Sequence, residues 1–156
     1  MPAGRRFATR STVIAVDTNI LVYAHRADSP FHDRARSALE WLAAGAREWA
    51  IPWPCAHEFF AVVTHPRIYK TATPATTAFA QLRALAALAN LVFIAEADDH
   101  LAQLEPLALA GKACGGAIHD ARIAAICLSH GVAELWSADR DFSRYPALKA
   151  RNPLIG

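Results

Sequence analysis

Val13-Ile14-Ala15-Val16-Asp17-Thr18-Asn19-Ile20-Leu21-Val22-Tyr23 is the stretch that decides the fold. Four apolar, mostly β-branched residues run into an acid, and the apolar pattern then resumes through Thr18 and Asn19 at a spacing that suits a helix. The reading is a buried strand that delivers Asp17 to its carboxyl end, with Asn19 as the expected cap of the helix that follows. In open α/β sheets the crevice beyond the carboxyl ends of the strands is where ligands bind, so Asp17 is placed for chemistry. An ordinary strand-to-helix turn in which Asp17 only caps is the alternative on this stretch alone.

The remainder of the chain extends the same pattern. Trp49-Ala50-Ile51-Pro52, Leu91-Val92-Phe93-Ile94 and Glu134-Leu135-Trp136-Ser137 read as further strands, and residues 149–154 as a last short one. Helices are expected between them: residues 20–25, 31–44, about 55–64, a segment opened by Thr73 as cap and Pro74 as first residue and running to about 89, 97–110, and 118–130 closed by Gly131. Gly111 to Gly116 reads as a flexible turn. Strands alternating with helices, with no hairpin signal, predict a mostly parallel sheet covered on both faces.

Composition narrows the class. At 156 residues, 54% hydrophobic and 19% charged, the chain suits one globular domain, residues 13–156, behind a loose basic leader, residues 1–12. No apolar run approaches the ~20 residues of a membrane span, so no membrane partner is expected and a cytoplasmic protein is. Arg5, Arg6 and Arg10 imitate the start of a signal peptide, but Asp17 interrupts the apolar stretch too soon. Cys55, Cys114 and Cys127 show no CxxC spacing and are read as reduced, packed thiols. A net charge of +2 does not by itself specify a polyanionic partner.

Four acids recur at one place in this pattern. Asp17 and Asp139 each follow a strand, while Glu58 and Asp120 each fall in the first turns of a helix, and a parallel layer brings all four to one sheet edge. A helix start stabilises a single acid by only ~0.3 to 1 kcal/mol. Two carboxylates about 4 Å apart repel by ~4 kcal/mol at an effective dielectric near 20, which exceeds that gain. Such a group is therefore protonated or encloses a cation. An all-oxygen donor set suits Mg²⁺ or Mn²⁺, and phosphodiester hydrolysis is the chemistry the acids support best.

Asp17-Thr18-Asn19-Ile20-Leu21-Val22-Tyr23, Glu58, His119-Asp120-Ala121-Arg122-Ile123-Ala124-Ala125 and Ser137-Ala138-Asp139-Arg140-Asp141-Phe142 together resemble the PIN-domain ribonucleases, in particular the VapC toxins of toxin–antitoxin pairs. The resemblance spans residues 13–154 with the motifs in the family's order. It implies a three-layer α/β/α sandwich with a five-stranded, mostly parallel sheet. It further implies a Mg²⁺- or Mn²⁺-dependent endoribonuclease acting on RNA, a homodimer, and inhibition by a cognate VapB antitoxin. The apolar helices between residues 32 and 89 are expected to offer the dimer face and the antitoxin groove. Carried over residue by residue, Asp17, Glu58, Asp120 and Asp139 form the acidic quartet. Asp17 and Asp120 would ligate the metal, Asp139 directly or through water, and Glu58 would ligate or orient the attacking water. Asn19 and Ser137 would orient the carboxylates. Asp141 is read as the cap of the turn before Phe142, with a second metal site as the alternative.

Other signals yield less. His57-Glu58 is not a zinc-protease motif, because position 61 is alanine and the next histidine is His65. The 111–116 loop lacks the GK[ST] end of a P-loop. His119 is expected to pack beside the site rather than act in it. Trp136 is expected in the core and Trp53 against the helix of Glu58. The rival enzyme is a HAD-type phosphatase, which needs an acid where this chain has Asn19. The rival from another class is a PIN-like RNA-binding module without catalysis.

Overall fold

The computed structural model describes residues 12–156; residues 1–11, and with them nearly all of the expected leader, lie outside the described residues. Five strands, β1 (Ile14–Val16), β2 (Trp49–Pro52), β3 (Leu91–Ile94), β4 (Glu134–Trp136) and β5 (Ala150–Arg151), pair in the order β3-β2-β1-β4-β5. Every pairing is parallel, with Ile14 opposite both Trp49 and Glu134 and Trp136 opposite Arg151. Six helices connect them: α1 (Thr18–His25), α2 (His32–Ala44), α3 (Trp53–Val63), α4 (Ala75–Ala86), α5 (His100–Ala110) and α6 (Ile118–Ser129).

Strand order dictates the layers. The chain steps from β1 to β2 to β3 in one direction, carrying α1 to α4, and then returns across β1 to β4 through α5 and α6. Right-handed crossovers put these two sets on opposite faces. Helix α1 packs on α2 and α3, α3 on α4, and α5 on α6. Ala15, Val16, Ala50, Ile51 and Leu135 are wholly or almost wholly buried between the layers, with Ile20, Phe59 and Ile126 beside them. Each large side chain so buried contributes ~1.5 to 3 kcal/mol relative to exposure. The order of strand addition reverses between β1 and β4, which run parallel, and the carboxyl ends of these two strands open the crevice where such sheets bind ligands.

Several boundaries differ from the sequence expectation, each for a local reason. Helix α1 is capped by Asp17, whose Oδ1 accepts from the Thr18 N–H at 2.8 Å, so Asn19 lies inside the helix. Helix α4 starts after Pro74 with no side-chain cap, because Thr73 Oγ1 is engaged by His25 and Arg26 instead. Helix α5 begins at His100, since residues 97–99 form a turn closed by the His100 N–H to Ala97. Strand β5 is only two residues long: Asn152 turns its Oδ1 to the Leu154 N–H, and Pro153 has no N–H to offer a ladder. Trp53 is the first residue of α3; its ring stacks on His57 of that helix at 5.9 Å, as expected, and also on Phe93 at 4.4 Å, yet it stays 42% exposed. Trp136 is buried as expected, beneath Trp41. Cys55 and Cys127 are buried free thiols, whereas Cys114 is exposed in the 111–116 loop.

Asn90 ties the sheet to the loop that follows α2. Its Nδ2 donates to the carbonyls of Leu42, Gly45 and Arg47 at 2.9 to 3.1 Å, and its Oδ1 accepts from Trp49 Nε1 at 3.2 Å. Asn90→Ala removes one partner from each of the four groups. The Gly45 and Arg47 carbonyls are exposed to water and the Leu42 carbonyl keeps the Gly45 N–H, so the loss falls mainly on the part-buried Trp49 Nε1 and is expected to be ~1 to 2 kcal/mol in urea unfolding. A loss under ~0.5 kcal/mol would mean that water replaces the amide.

Candidate active site

The loop after β1 starts the site. Asp17 is 5% exposed, and both of its carboxylate oxygens are held by neighbours. Oδ1 accepts from the Thr18 N–H at 2.8 Å and from Cys55 Sγ at 3.4 Å. Oδ2 accepts from Ser137 Oγ at 2.7 Å, with Asn19 Nδ2 at 3.5 Å. Burial pushes the Asp17 carboxyl above its ordinary range, and the hydrogen bonds from Ser137, Thr18 and Cys55 work against that rise. Burial also holds the Cys55 thiol well above its usual range, so it remains an S–H donor.

Ser137, directly after β4, connects the two strand ends. Its hydroxyl donates to Asp17 and accepts from the Asp139 N–H at 2.9 Å. Asn19 completes the bridge by donating Nδ2 to Ser137 Oγ at 3.3 Å and accepting the Ala138 N–H on Oδ1 at 3.1 Å. An amide so used supplies no proton to a reaction, which removes the general acid that a HAD-type phosphatase requires at position 19.

Asp120 enters from the first turn of α6, and Asp139 and Asp141 from the turn after β4. One carboxylate oxygen from each of these three acids lies within 4.8 Å of the others. The cap of that turn is Asp139, whose Oδ1 accepts the Asp141 N–H at 2.8 Å; the expected capping role of Asp141 therefore belongs to its neighbour. Asp141 instead turns its carboxylate toward Asp120 and Asp139. Glu58, on α3, is exposed and accepts from Thr18 Oγ1 on Oε2 at 3.0 Å.

Asp17, Glu58, Asp120 and Asp139 line one cleft of about 300 Å³, together with Val22, Tyr23, Val62 and Tyr69. All four acids of the expected quartet thus share a space. The tight three-acid cluster is formed by two of them, Asp120 and Asp139, with Asp141, and includes neither Asp17 nor Glu58. Partial burial, followed by the charges of Asp139, Asp17, Asp141 and Glu58, pushes the Asp120 carboxyl up to about 6. Hard carboxylate oxygens at this spacing, with mutual repulsion unrelieved, suit a divalent cation such as Mg²⁺ or Mn²⁺. His119 is exposed rather than packed.

Three contributors escaped the sequence reading. Thr18 was hidden by its place next to Asp17. Cys55 lies three positions before Glu58, the spacing of one helix face, and that periodicity could have found it. Tyr69 falls between α3 and α4, where no periodicity operates.

Residues 14–148 match the family model of the PIN domain. The chain is similar to ribonuclease VapC48 of Mycobacterium tuberculosis, 30% identical over 140 residues that cover 90% of this chain and 97% of the relative. It is similar to ribonuclease VapC43 of the same organism, 35% identical over 144 residues, 92% of this chain and 97% of the relative. Among solved structures it resembles VapBC2 from Rickettsia felis bound to a promoter DNA fragment, with TM-score 0.66 and 21% identity over 90% of this chain and 98% of that one. It also resembles Mycobacterium tuberculosis VapC20, a sarcin–ricin loop cleaving toxin, with TM-score 0.63 and 18% identity over 83% of this chain and 92% of that one. The family match over nearly the whole domain, with relatives at 30% identity or above covered almost end to end, gives the conclusion that this chain belongs to the PIN-domain family and, within it, to the VapC ribonucleases.

Proposed function

We propose that the protein is the toxin of a toxin–antitoxin pair, an endoribonuclease that hydrolyses RNA phosphodiester bonds with Mg²⁺ or Mn²⁺ held by Asp17, Asp120 and Asp139. The observation that carries this reading is the set of carboxylates from Asp120, Asp139 and Asp141 within 4.8 Å of one another, beside Asp17 and Glu58. Asp141 is assigned as a further ligand. When bound, the cation supplies an activated water and offsets charge on the phosphate.

The protein's own groups do the rest. Ser137 and Asn19 hold the Asp17 and Asp139 loops at a constant separation, so the donor set is formed before substrate arrives. Thr18 occupies Glu58 Oε2, and Oε1 is the atom we assign to accept the proton of the attacking water. VapC relatives of 30 to 35% identity support RNA as substrate, and the VapBC assemblies among the structural relatives support an antitoxin partner of the VapB type. The helical layer from α2 to α4 is assigned to the antitoxin and to a second copy of the chain, and a light-scattering mass of two chains tests the dimer. Among the described residues no helix is long and apolar enough to cross a membrane, in keeping with a cytoplasmic toxin.

The test is digestion of total cellular RNA by the purified protein with Mg²⁺, with Mn²⁺ and with chelator. Discrete fragments that need the cation are expected, and their ends identify the RNA. Metal-independent fragments would detach the cluster from the chemistry. RNA binding without cleavage under either cation would favour the non-catalytic module.

A further inference from the structure

We propose that Tyr69 is the base-stacking platform of the cleft, holding the nucleotide next to the scissile phosphate, and that Arg26 is the positioning residue that fixes it. This inference rests on the reading of the cleft as a ribonuclease site and assigns the part of it that grips substrate.

Among the described residues lining the cleft there are four acids and no lysine or arginine. A phosphodiester backbone gains no direct cationic contact from these walls, so grip on the nucleotide must come largely from its uncharged parts. The same cleft supplies such a surface in Val22, Tyr23, Val62 and Tyr69. Aromatic rings hold single-stranded bases by stacking, independently of sequence. A cleft of about 300 Å³ has no space for a duplex, so the nucleotide that enters is unpaired.

Arg26 Cζ lies 3.9 Å over the Tyr69 ring centroid and covers one face. The guanidinium is held by four further contacts. Nε and Nη2 donate to the two Asp28 carboxylate oxygens at 2.9 and 2.6 Å, and Nη1 donates to the Thr71 carbonyl at 2.8 Å and Thr73 Oγ1 at 3.3 Å. Its side chain is 11% exposed, and its charge is matched by Asp28, so it serves the loop rather than the RNA backbone. Arg26 does not line the cleft although Tyr69 does, and the ring face that Arg26 leaves uncovered is the one assigned to the base. Tyr23 has no cation over its ring among the described residues and instead packs on Phe31 at 5.2 Å. A ring already immobilised loses little freedom when a base stacks on it.

The experiment separates grip from chemistry. Asp120→Asn protein, expected to hold RNA without cutting it, is titrated with a short oligoribonucleotide carrying one 2-aminopurine moved position by position. Quenching at one position is expected. It should vanish, with affinity falling about 5- to 100-fold, when Tyr69→Ala is added. Tyr69→Phe keeps the ring and should retain both, which separates stacking from any role of the hydroxyl; Arg26→Ala should weaken both partially while the melting temperature reports that the fold persists. In the cleaving protein Tyr69→Ala should raise KM by a similar factor with kcat little changed. Undiminished quenching in the Tyr69→Ala protein, no quenching at any position, or a loss confined to kcat each overturns the proposal. Failure of the otherwise unaltered protein to cut any RNA would overturn the ribonuclease reading instead, and the binding arm would still decide on Tyr69.

Discussion

Asp120→Asn is expected to lower metal-dependent RNA cleavage by about 10²- to 10³-fold, the scale of losing one preorganised electrostatic contact, while the protein keeps its fold. Asp120 is the member of the quartet that can be changed with least collateral damage. It stands in the first turn of α6, where an amide is tolerated, and makes no side-chain cap there. Asp17 is a poorer choice, because its two oxygens accept from Thr18, Cys55 and Ser137, and an amide would turn a donor toward one of them. Asp17→Asn therefore loses activity and stability together, whereas Asp120→Asn should lose activity alone. Rates from mapped cleavage sites, set beside urea unfolding curves, distinguish the two. A rate within threefold of the unsubstituted protein would remove Asp120 from the mechanism.

The sheet was legible because parallel strands buried on both faces leave short apolar runs, and β1 to β4 were all found to within a residue. The quartet was legible for the same reason: once strand order is known, residues after β1 and β4 and at the start of α6 must meet, and Glu58 joins them from the middle of α3, which begins at Trp53, two residues earlier than expected. What failed was decided by side-chain partners that spacing does not encode. Thr73 has the sequence look of a helix cap, yet His25 and Arg26, far away in the chain, claim its hydroxyl. Asp139 and Asp141 are both acids in one tight turn, and only backbone geometry decides that Asp139 caps while Asp141 turns inward. Tyr69 sits in a loop that Arg26, distant in the chain, helps to hold through Thr71 and Thr73, so its place in the cleft is a tertiary fact.

The acid cluster should make the metal-free protein less stable at neutral pH than in mild acid, and the cation should reverse this. Burial and four neighbouring carboxylates push Asp120 to about 6 from an ordinary value of 3.8. A carboxyl raised in this way favours the folded state while protonated, so its contribution is fully present below pH 3.8 and disappears as pH rises through about 6. Asp17, raised chiefly by its burial, acts in the same direction. Because Asp120 is only partly buried, solvent screening reduces its effect to ~1 kcal/mol. In chelator, Asp120→Asn should therefore melt ~2 to 4 °C above the unsubstituted protein at pH 7, since the amide removes the repulsion. Mg²⁺ or Mn²⁺ at a hundred times its dissociation constant should add ~2.7 kcal/mol to the unsubstituted protein and far less to the variant. Below pH 6 protons compete for Asp120, so the stabilisation by metal and the cleavage rate should decline together. Equal stabilisation of both proteins by the cation, or a gain that does not change between pH 5 and pH 7.5, would place the bound metal away from Asp120 and leave the raised carboxyl without a role in holding it.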